Sequence, residues 1–282
     1  MSHELFKGSN RLEIHSTAII DRSAELGEGV IVGPYSVIGP QVIIEEGARI
    51  GPHVVIEPWT RIGKHCTIHP GAVIGGSPQD YKFKGVRSYV EVGEQAIIRE
   101  YVTIHRSTQE EGVTRVGNHN FLMAYCHIAH DCTLGDQVVI TNYTGLSGHV
   151  VVEDHAIISG YVAVHQFVRV GRMSIVSAQS GLSKDVPPYM IVEGRPCVVR
   201  GINSIGLRRN AVSAKARSDI KKAYRLLFLS HLNTSDALER IKTEVDRGEE
   251  IDHLIAFIEG SQRGIHKAQG AIGERDEAKE EE

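Results

Sequence analysis

Histidines and one carboxylate cluster in the middle of the chain, and their types suit acid–base chemistry. His127, His130 and Asp131 lie within five consecutive residues, and His149 and His165 follow further along. An imidazole with a pKa near neutrality can remove a proton from an alcohol that attacks a thioester. A neighbouring carboxylate can orient that ring and stabilise its charged form. These residues are therefore candidates for a general base and for the carboxylate, Asp131, that supports it.

An aliphatic residue recurs at every sixth position, and this repeat must position the polar cluster. The first run extends from Ile14 to Ile74, and the phase resumes at Val92 and continues from Val116 to Leu182. Neither the period of two of a half-buried strand nor the period of 3.6 of a helix fits this pattern. The pattern is typical of a hexapeptide β-helix, in which each coil buries its aliphatic residues against the next coil.

The repeat also converts sequence distance into expected contacts. Three hexads make one coil of a triangular prism, so residues about eighteen positions apart should stack on adjacent coils. On this basis Asp131 should contact His149, and His130 should lie beside Gly148. His165 falls in the neighbouring column. Since glycine has no Cβ, position 148 would leave its backbone N–H open to a substrate as a candidate oxyanion donor.

Two stretches break the phase and predict loops inserted into the prism. Asp80 and Glu110 occupy positions that should be aliphatic, so segments 75–87 and 107–115 should leave the coils. Loops on a rigid scaffold often carry binding residues. The repeat ends near two prolines, and a connector over 194–205 should lead into a helical pattern. We therefore expect an N-terminal extension over 1–13, a β-helix over 14–190, a helical domain over 191–265 and a disordered acidic tail over 266–282.

Charge and cysteine usage narrow the expected compartment and partners. The span 200–225 is rich in Arg and Lys, which indicates an acidic partner or phosphates. The N-terminus lacks the apolar core of a signal peptide, and no stretch reaches the ~18 apolar residues of a membrane span. Cys66, Cys126 and Cys132 fall on small inward positions of the repeat. We therefore expect buried, reduced thiols and a cytoplasmic protein that does not insert into membranes.

Alternative interpretations of the histidines stay open at this point. One is that they only decorate solvent-facing corners, because the chain contains 15 histidines. Another is zinc held between subunits, as in a hydratase resembling γ-class carbonic anhydrase, since His127 and His130 are three residues apart. No sulfur or carboxylate ligand set completes an obvious metal site, so we expect no metal and no cofactor. A non-catalytic scaffold is a further alternative, which the clustering at one corner argues against.

Six segments carry a family resemblance. They are Asp80–Lys82, Val102–Arg106, His127–Thr133, Ser147–Val150, Ala163–Phe167 and Asp185–Tyr189. These segments resemble the UDP-N-acetylglucosamine acyltransferases that begin lipid A biosynthesis, and the likeness covers nearly the whole chain. It implies a mainly β protein, a left-handed parallel β-helix of hexapeptide repeats with a C-terminal α-helical domain, against the usual right-handed crossover. It further implies a homotrimer that transfers an (R)-3-hydroxyacyl group from acyl carrier protein to the 3-hydroxyl of UDP-N-acetylglucosamine.

The resemblance implies roles for individual residues. His130 matches the general base, Asp131 its supporting carboxylate and Gly148 the oxyanion N–H. The positions that match the lining of the two substrate sites are Asp80, Lys82, His105, His127, His149, His165, Gln166, Asn203 and Arg209. We expect the acidic carrier protein to dock on a basic patch that comprises Arg208, Lys215, Arg217, Lys221 and Lys222.

Three positions depart from the family pattern. Ala178 stands where some members have a glycine that leaves room for the end of the acyl chain, so its methyl should shorten the preferred chain. Asn210 replaces the second arginine of a pair, and Ile205 stands where a glutamate often contacts the nucleotide. An N-acyltransferase of the same fold, acting on an amino-sugar nucleotide, is the alternative. Nucleic acid is not an expected partner, because the basic span lacks interleaved aromatics and a recognised module.

Overall fold

The computed structural model describes residues 12–268, and most of this chain wraps around one axis as a parallel β-helix. Short strands form three sheets, which we call A, B and C in the order in which the chain visits them. Each strand pairs with the strand one coil later, as Thr133 pairs with Val151. The expected stacking at intervals of eighteen residues is therefore confirmed.

Over residues 12–268 the three sheets contain 11, 9 and 8 strands. The strands of sheet A are Glu13–Ile14, Ile31–Val32, Arg49–Ile50, Thr67–Ile68, Ile97–Ile98, Phe121–Leu122, Val139–Ile140, Ile157–Ile158, Ile175–Val176, Met190–Glu193 and Val198–Ile202. Those of sheet B are Ile19–Ile20, Val37–Ile38, Val55–Ile56, Val73–Gly76, Thr103–His105, His127–Ile128, Gly145–Leu146, Ala163–Val164 and Gly181–Leu182. Those of sheet C are Glu25–Leu26, Ile43–Ile44, Thr60–Ile62, Tyr89–Val92, Val113–Val116, Thr133–Leu134, Val151–Val152 and Arg169–Val170.

The hexad residues form the core of the prism. In the strand Ile97–Ile98, the hexad residue Ile98 is 0% exposed, whereas its neighbour Ile97 is 42% exposed. This alternation follows from the pleat, which sends successive side chains to opposite faces of a sheet. The cysteines expected inside the prism, Cys66, Cys126 and Cys132, are buried and free, as is Cys197.

The corners between sheets have a regular backbone conformation. At most corners one residue adopts a positive φ, and many of these residues are not glycines, such as Tyr143 (φ 60°) and His155 (φ 58°). A residue in the left-handed region of φ/ψ space turns the chain sharply. Such a turn is needed after each two-residue strand, so that the chain can continue along the next face of the prism. Corner positions thus project their side chains outward at a fixed interval.

Both interruptions of the repeat leave the prism at one corner, where the chain passes from sheet B to sheet C. We call this the B–C corner. The first insertion covers 77–88, between strands Val73–Gly76 and Tyr89–Val92, and the second covers 106–112. The expected second loop of 107–115 was wrong at its end, because Val113–Val116 pairs with the lengthened strand Tyr89–Val92. Sequence phase alone does not reveal such lengthened strands.

The C-terminal end of sheet A changes direction. Met190–Glu193 continues the parallel ladder, but Val198–Ile202 pairs with it in antiparallel orientation. The expected connector over 194–205 was therefore wrong for these five residues. Four helices follow within the described part of the chain: α1 (Ser204–Arg209), α2 (Ala214–Phe228), α3 (Thr234–Glu244) and α4 (Glu249–Glu259). The expected extension over 1–13 and tail over 266–282 lie mostly outside the described residues.

Charged contacts attach helix α4 to the last coils. His253 on α4 lies 2.8 Å from the Glu153 carboxylate, and Glu249 pairs with Arg172 at 3.0 Å. The Arg169 guanidinium stacks on the Phe257 ring, with 4.1 Å from Cζ to the ring centroid. None of the helices within residues 12–268 combines the length and the apolar character that crossing a membrane requires.

We predict that inward and outward isoleucines of one strand differ sharply in their contribution to stability. Ile98→Ala should lower the free energy of unfolding by about 2–5 kcal/mol, because it leaves a cavity between stacked coils. Ile97→Ala, the matched control, should cost about 1 kcal/mol or less. Chemical denaturation of both variants measures the difference, and equal losses would contradict the assignment of the core.

Candidate active site

The B–C corner gathers the candidate residues into two columns. Asp131, His149 and Phe167 occupy the left-handed corner position on three successive coils, with φ of 62°, 62° and 64°. His130 and Gly148 form the second column, each one residue earlier. Because the ladder fixes this offset, side chains remote in sequence become vertical neighbours. The expected pairing of Asp131 with His149 and of His130 with Gly148 is confirmed.

His130 and Asp131 form the central pair of the site. The His130 Nδ1 atom lies 2.8 Å from Asp131 Oδ2, and both side chains are about nine-tenths buried. A carboxylate at Nδ1 favours the tautomer with its proton on that nitrogen. Nε2 then carries the lone pair, and it has no hydrogen-bond partner within residues 12–268. The ring is therefore poised to accept a proton at Nε2.

The second insertion holds the Asp131 carboxylate. The Ser107 hydroxyl donates to Oδ1, and the Thr108 hydroxyl and backbone N–H donate to Oδ2 at 2.7 and 3.2 Å. Burial raises the pKa of Asp131, but hydrogen bonds from Ser107, Thr108 and His130 outweigh it, and the pKa falls below its usual value. Asp131 is therefore a fixed anion at neutral pH.

Gly148 and His149 complete the corner. A Cβ at position 148 would lie 2.7 Å from His130 Nε2, so only glycine lets that ring sit where it does. The His149 Nε2 atom lies 3.6 Å from Asp131 Oδ2, and the His149 ring stacks on Phe167 with centroids 4.6 Å apart. Phe167 lies in one of the six segments that carry the family resemblance, but its stacking against His149 was not predicted.

His127 and His105 form a second pair on sheet B, next to the corner. Their rings meet edge to face with centroids 4.7 Å apart, and His127 Nδ1 lies 2.8 Å from the Thr103 hydroxyl. Burial, together with repulsion from His127 and His130, lowers the pKa of His105 to about 4. Burial also lowers the pKa of His127. Both rings are therefore neutral at pH 7 and available as hydrogen-bonding groups.

Two further pairs of expected substrate-lining residues lie at or near the surface, where His165, Gln166 and Lys82 are exposed and Asp80 is half-buried. His165 and Gln166 are exposed on the coil above Gly148, and His165 Nδ1 lies 3.2 Å from the Gln166 carbonyl oxygen. Asp80 and Lys82 lie in the first insertion, where the Asp80 carboxylate accepts a hydrogen bond from the Lys82 N–H. The first insertion leaves the prism at the same corner as the His130–Asp131 pair.

Asn203 and Arg209 mark the two ends of helix α1. Asn203 is buried, and its side chain accepts from Gly206 N as the helix cap and donates to the Met173 carbonyl at 2.8 Å. Both ends of its amide therefore have partners within the chain, which is a structural role that sequence reasoning missed. Arg209 is exposed, as are Ile205 and Asn210.

Among residues 12–268, one set of three side chains could hold a metal ion. His130, Asp131 and His149 each offer a ligand atom, and these atoms lie within 4.8 Å of one another. The spacing of His127 and His130, which suggested zinc as an alternative, did not predict this set of three. The Asp131 oxygens, however, already accept hydrogen bonds from Ser107 and Thr108. A metal ion would have to compete with these donors for the carboxylate.

We predict that Gly148→Ala displaces the His130 ring. The added methyl group meets the ring at less than contact distance, so the His130–Asp131 hydrogen bond should break at a cost of about 1–3 kcal/mol. Gly201→Ala is the matched control, because no atom lies within 4 Å of a Cβ built there. Crystallography and chemical denaturation measure the two effects. An unmoved His130 ring in the Gly148 variant would contradict the packing described above.

Family models match both parts of the chain. The bacterial transferase hexapeptide model matches residues 23–58, 41–76 and 114–148. A model described as UDP N-acetylglucosamine O-acyltransferase, domain 2, matches residues 185–266, which include all four helices. The fold is the left-handed parallel β-helix that the sequence led us to expect, followed by short C-terminal helices.

Named relatives agree over nearly their whole length. An acyl-[acyl-carrier-protein]–UDP-N-acetylglucosamine O-acyltransferase from Halorhodospira halophila is 48% identical over 89% of this chain and 98% of its own. A UDP-N-acetylglucosamine acyltransferase structure from Bacteroides fragilis has 43% identity, a TM-score of 0.87 and coverage of 89% and 98%. That from Francisella novicida has 39% identity, a TM-score of 0.88 and coverage of 92% and 95%. The chain therefore belongs to the UDP-N-acetylglucosamine O-acyltransferase family.

Proposed function

We propose that this protein transfers an (R)-3-hydroxyacyl group from acyl carrier protein to the 3-hydroxyl of UDP-N-acetylglucosamine, the step that begins lipid A biosynthesis. The observation that carries this proposal is the buried His130–Asp131 pair beside Gly148, with His130 Nε2 open. Its chemistry matches removal of a proton from an alcohol. Family membership supports the choice of an oxygen acceptor over an amine.

The reaction follows from the positions of three groups. His130 Nε2 takes the proton from the sugar hydroxyl as its oxygen attacks the thioester carbonyl carbon. The carbonyl oxygen becomes an oxyanion, which the Gly148 N–H stabilises, since this amide donates no backbone hydrogen bond among the described residues. The C–S bond then breaks, and the carrier thiolate takes the proton from His130. Asp131 stabilises the imidazolium between these two proton transfers.

The sugar nucleotide is proposed to lie across the B–C corner and the first insertion. The neutral rings of His105 and His127 offer hydrogen bonds without charge, and Lys82 offers a cation. His149, His165 and Gln166 extend the polar surface along the corner. These assignments, with Asp80, Asn203 and Arg209, are proposals that rest on position and on the family resemblance.

A homotrimer is proposed because a single chain forms only one side of the proposed site. The B–C corner is a convex edge, whereas a ligand site needs concave walls. A cleft of about 550 Å³ lies on sheet C, and its lining includes none of the proposed site residues. A neighbouring copy of the chain would supply the missing wall. Ala178 is exposed at the corner between the strands Ile175–Val176 of sheet A and Gly181–Leu182 of sheet B, and its role in limiting acyl length is a proposal that rests on the family resemblance.

The five cations of the proposed carrier-docking patch differ in whether they already have partners within the chain. Lys215 pairs with Asp219 and Asp246, and Lys222 pairs with Asp219. The Arg217 guanidinium donates to the Val212 carbonyl. Among the members of the patch, Arg208 and Lys221 make neither an ion pair nor a side-chain hydrogen bond with other residues of the described chain. These two cations are therefore the ones we propose to attract an acidic carrier protein.

We predict that His130→Ala lowers kcat by roughly 10²–10⁴-fold, the range expected for loss of a general base. The assay combines purified protein, hydroxyacyl carrier protein and UDP-N-acetylglucosamine, with identification of the ester product. His155→Asn is the control, because it removes an imidazole from another corner and leaves a residue that tolerates positive φ. Near-normal turnover in a folded His130→Ala protein would remove His130 from the role of base, and an inactive wild-type protein would refute the proposed reaction.

We predict that Lys221→Glu weakens use of the carrier protein through lost electrostatic steering. The value of kcat/KM for the acylated carrier should fall, and its dependence on ionic strength should flatten. Activity with a small thioester that lacks the carrier should change little. Arg22→Glu, an equal change of charge on an exposed residue near the other end of the prism, is the control. Equal losses on both thioesters would indicate damage to the site instead of lost docking.

A further inference from the structure

Arg106 connects the first insertion to the prism through two aromatic rings. Its guanidinium carbon lies 5.2 Å from the ring centroid of Trp59 and 5.4 Å from that of Phe83. Trp59 is a corner residue of the prism (φ 61°), at the B–C corner below the insertions. Phe83 belongs to the first insertion. A single side chain therefore bridges scaffold and loop.

The chemistry of Arg106 suits this position. A guanidinium is planar and weakly hydrated, so it stacks on aromatic faces with little loss of solvation. No acidic side chain of the described residues forms an ion pair with Arg106, and its Nε atom is buried without a hydrogen-bond partner. The two rings are thus the principal partners of the guanidinium. Lysine would lack the planar group that fits between them.

The middle of the first insertion depends on this contact. Within it, Lys82 N and Phe83 N donate to Asp80, which closes a local turn. The end of the insertion is tied elsewhere, because Ser88 donates to the Ser107 carbonyl and Arg87 pairs with Glu111. Among the hydrogen bonds, ion pairs and ring contacts within residues 12–268, the Phe83–Arg106 contact ties segment 80–85 to the rest of the chain.

The residues that follow Arg106 reach the catalytic carboxylate. The backbone N–H of Arg106 donates to the Gly76 carbonyl at 3.0 Å, at the start of the first insertion. The next two residues, Ser107 and Thr108, donate to Asp131. Three consecutive residues therefore link the turn that carries Asp80 and Lys82 to the pair His130–Asp131.

We propose that Arg106 is a positioning residue, which holds the turn at 80–85 at a fixed distance from the His130–Asp131 pair so that the sugar nucleotide meets both. This inference rests on the proposed function, because it assigns acceptor binding to the first insertion. The contact itself can be measured without turnover.

The kinetic test uses Arg106→Leu, Phe83→Leu and the double variant. Each single change should raise KM for UDP-N-acetylglucosamine about tenfold, or ~1.4 kcal/mol at 25 °C, and change kcat far less. The KM of the double variant should not exceed that of the more impaired single variant, because both changes break the same contact. Arg106→Lys should recover only part of the loss. Arg240→Leu, on helix α3 and paired with Glu244, is the control and should behave as wild type.

The structural test uses limited proteolysis and fluorescence. Arg106→Leu and Phe83→Leu should speed tryptic cleavage after Lys82 and Lys84, which lie in the released turn. Trp59 is the only tryptophan in the sequence, so its emission reports on the loss of the Arg106 contact. Arg240→Leu should alter neither signal.

Three outcomes would overturn the proposal. The first is a wild-type rate of cleavage after Lys82 in both variants, which refutes the contact even if the wild-type enzyme proves inactive. The second is a raised KM in Arg106→Leu with a wild-type KM in Phe83→Leu, which would mean that Arg106 touches the ligand itself and does not act through the turn. The third is an unchanged KM in all variants of an active enzyme.

Discussion

The burial of one aliphatic side chain per hexad against the next coil is the interaction on which the molecule depends. A ladder slipped by one residue would turn the whole core outward, so the offset between coils is strongly fixed. Ile98 and Ile97, at 0% and 42% exposure, show how sharply the two faces differ. The same offset that stacks isoleucines stacks Gly148 on His130 and His149 on Asp131. The geometry of the proposed site therefore follows from the packing of the core.

The corners between sheets present side chains to the outside at the fixed spacing of the coils. A residue at positive φ projects outward from most turns, and at the B–C corner these residues include Asp131, His149 and Phe167. Both insertions leave the prism at this corner as well. The second insertion supplies hydroxyl groups that keep Asp131 ionised, while the first carries Lys82. Rigid coils place His130, the proposed base, and the insertions supply hydroxyl groups and a cation that a two-residue strand is too short to provide.

Periodicity explains which features could be predicted from the sequence. The coil stacking, the buried cysteines and the pairing of His130 with Gly148 all follow from a repeat of six residues. Ser107, Thr108 and Arg106 were missed as partners because residues in an insertion have no register. The strand Val198–Ile202 was missed because its antiparallel pairing ends the period. The ion pairs of Lys215 and Lys222 depend on side-chain directions, which a count of charges does not contain.

The antiparallel strand at the end of sheet A affects whether copies of the protein can associate end to end. A parallel β-helix ends in unpaired N–H and C=O groups, which are a template for the addition of further strands. The antiparallel strand Val198–Ile202 occupies the C-terminal end of sheet A, and Val199 also pairs with Ala268. At the ends of the other two sheets, Gly181 N donates to the Gly194 carbonyl and Val170 bridges to Val186. The stack is thereby terminated at this end, and growth into end-to-end filaments is blocked there.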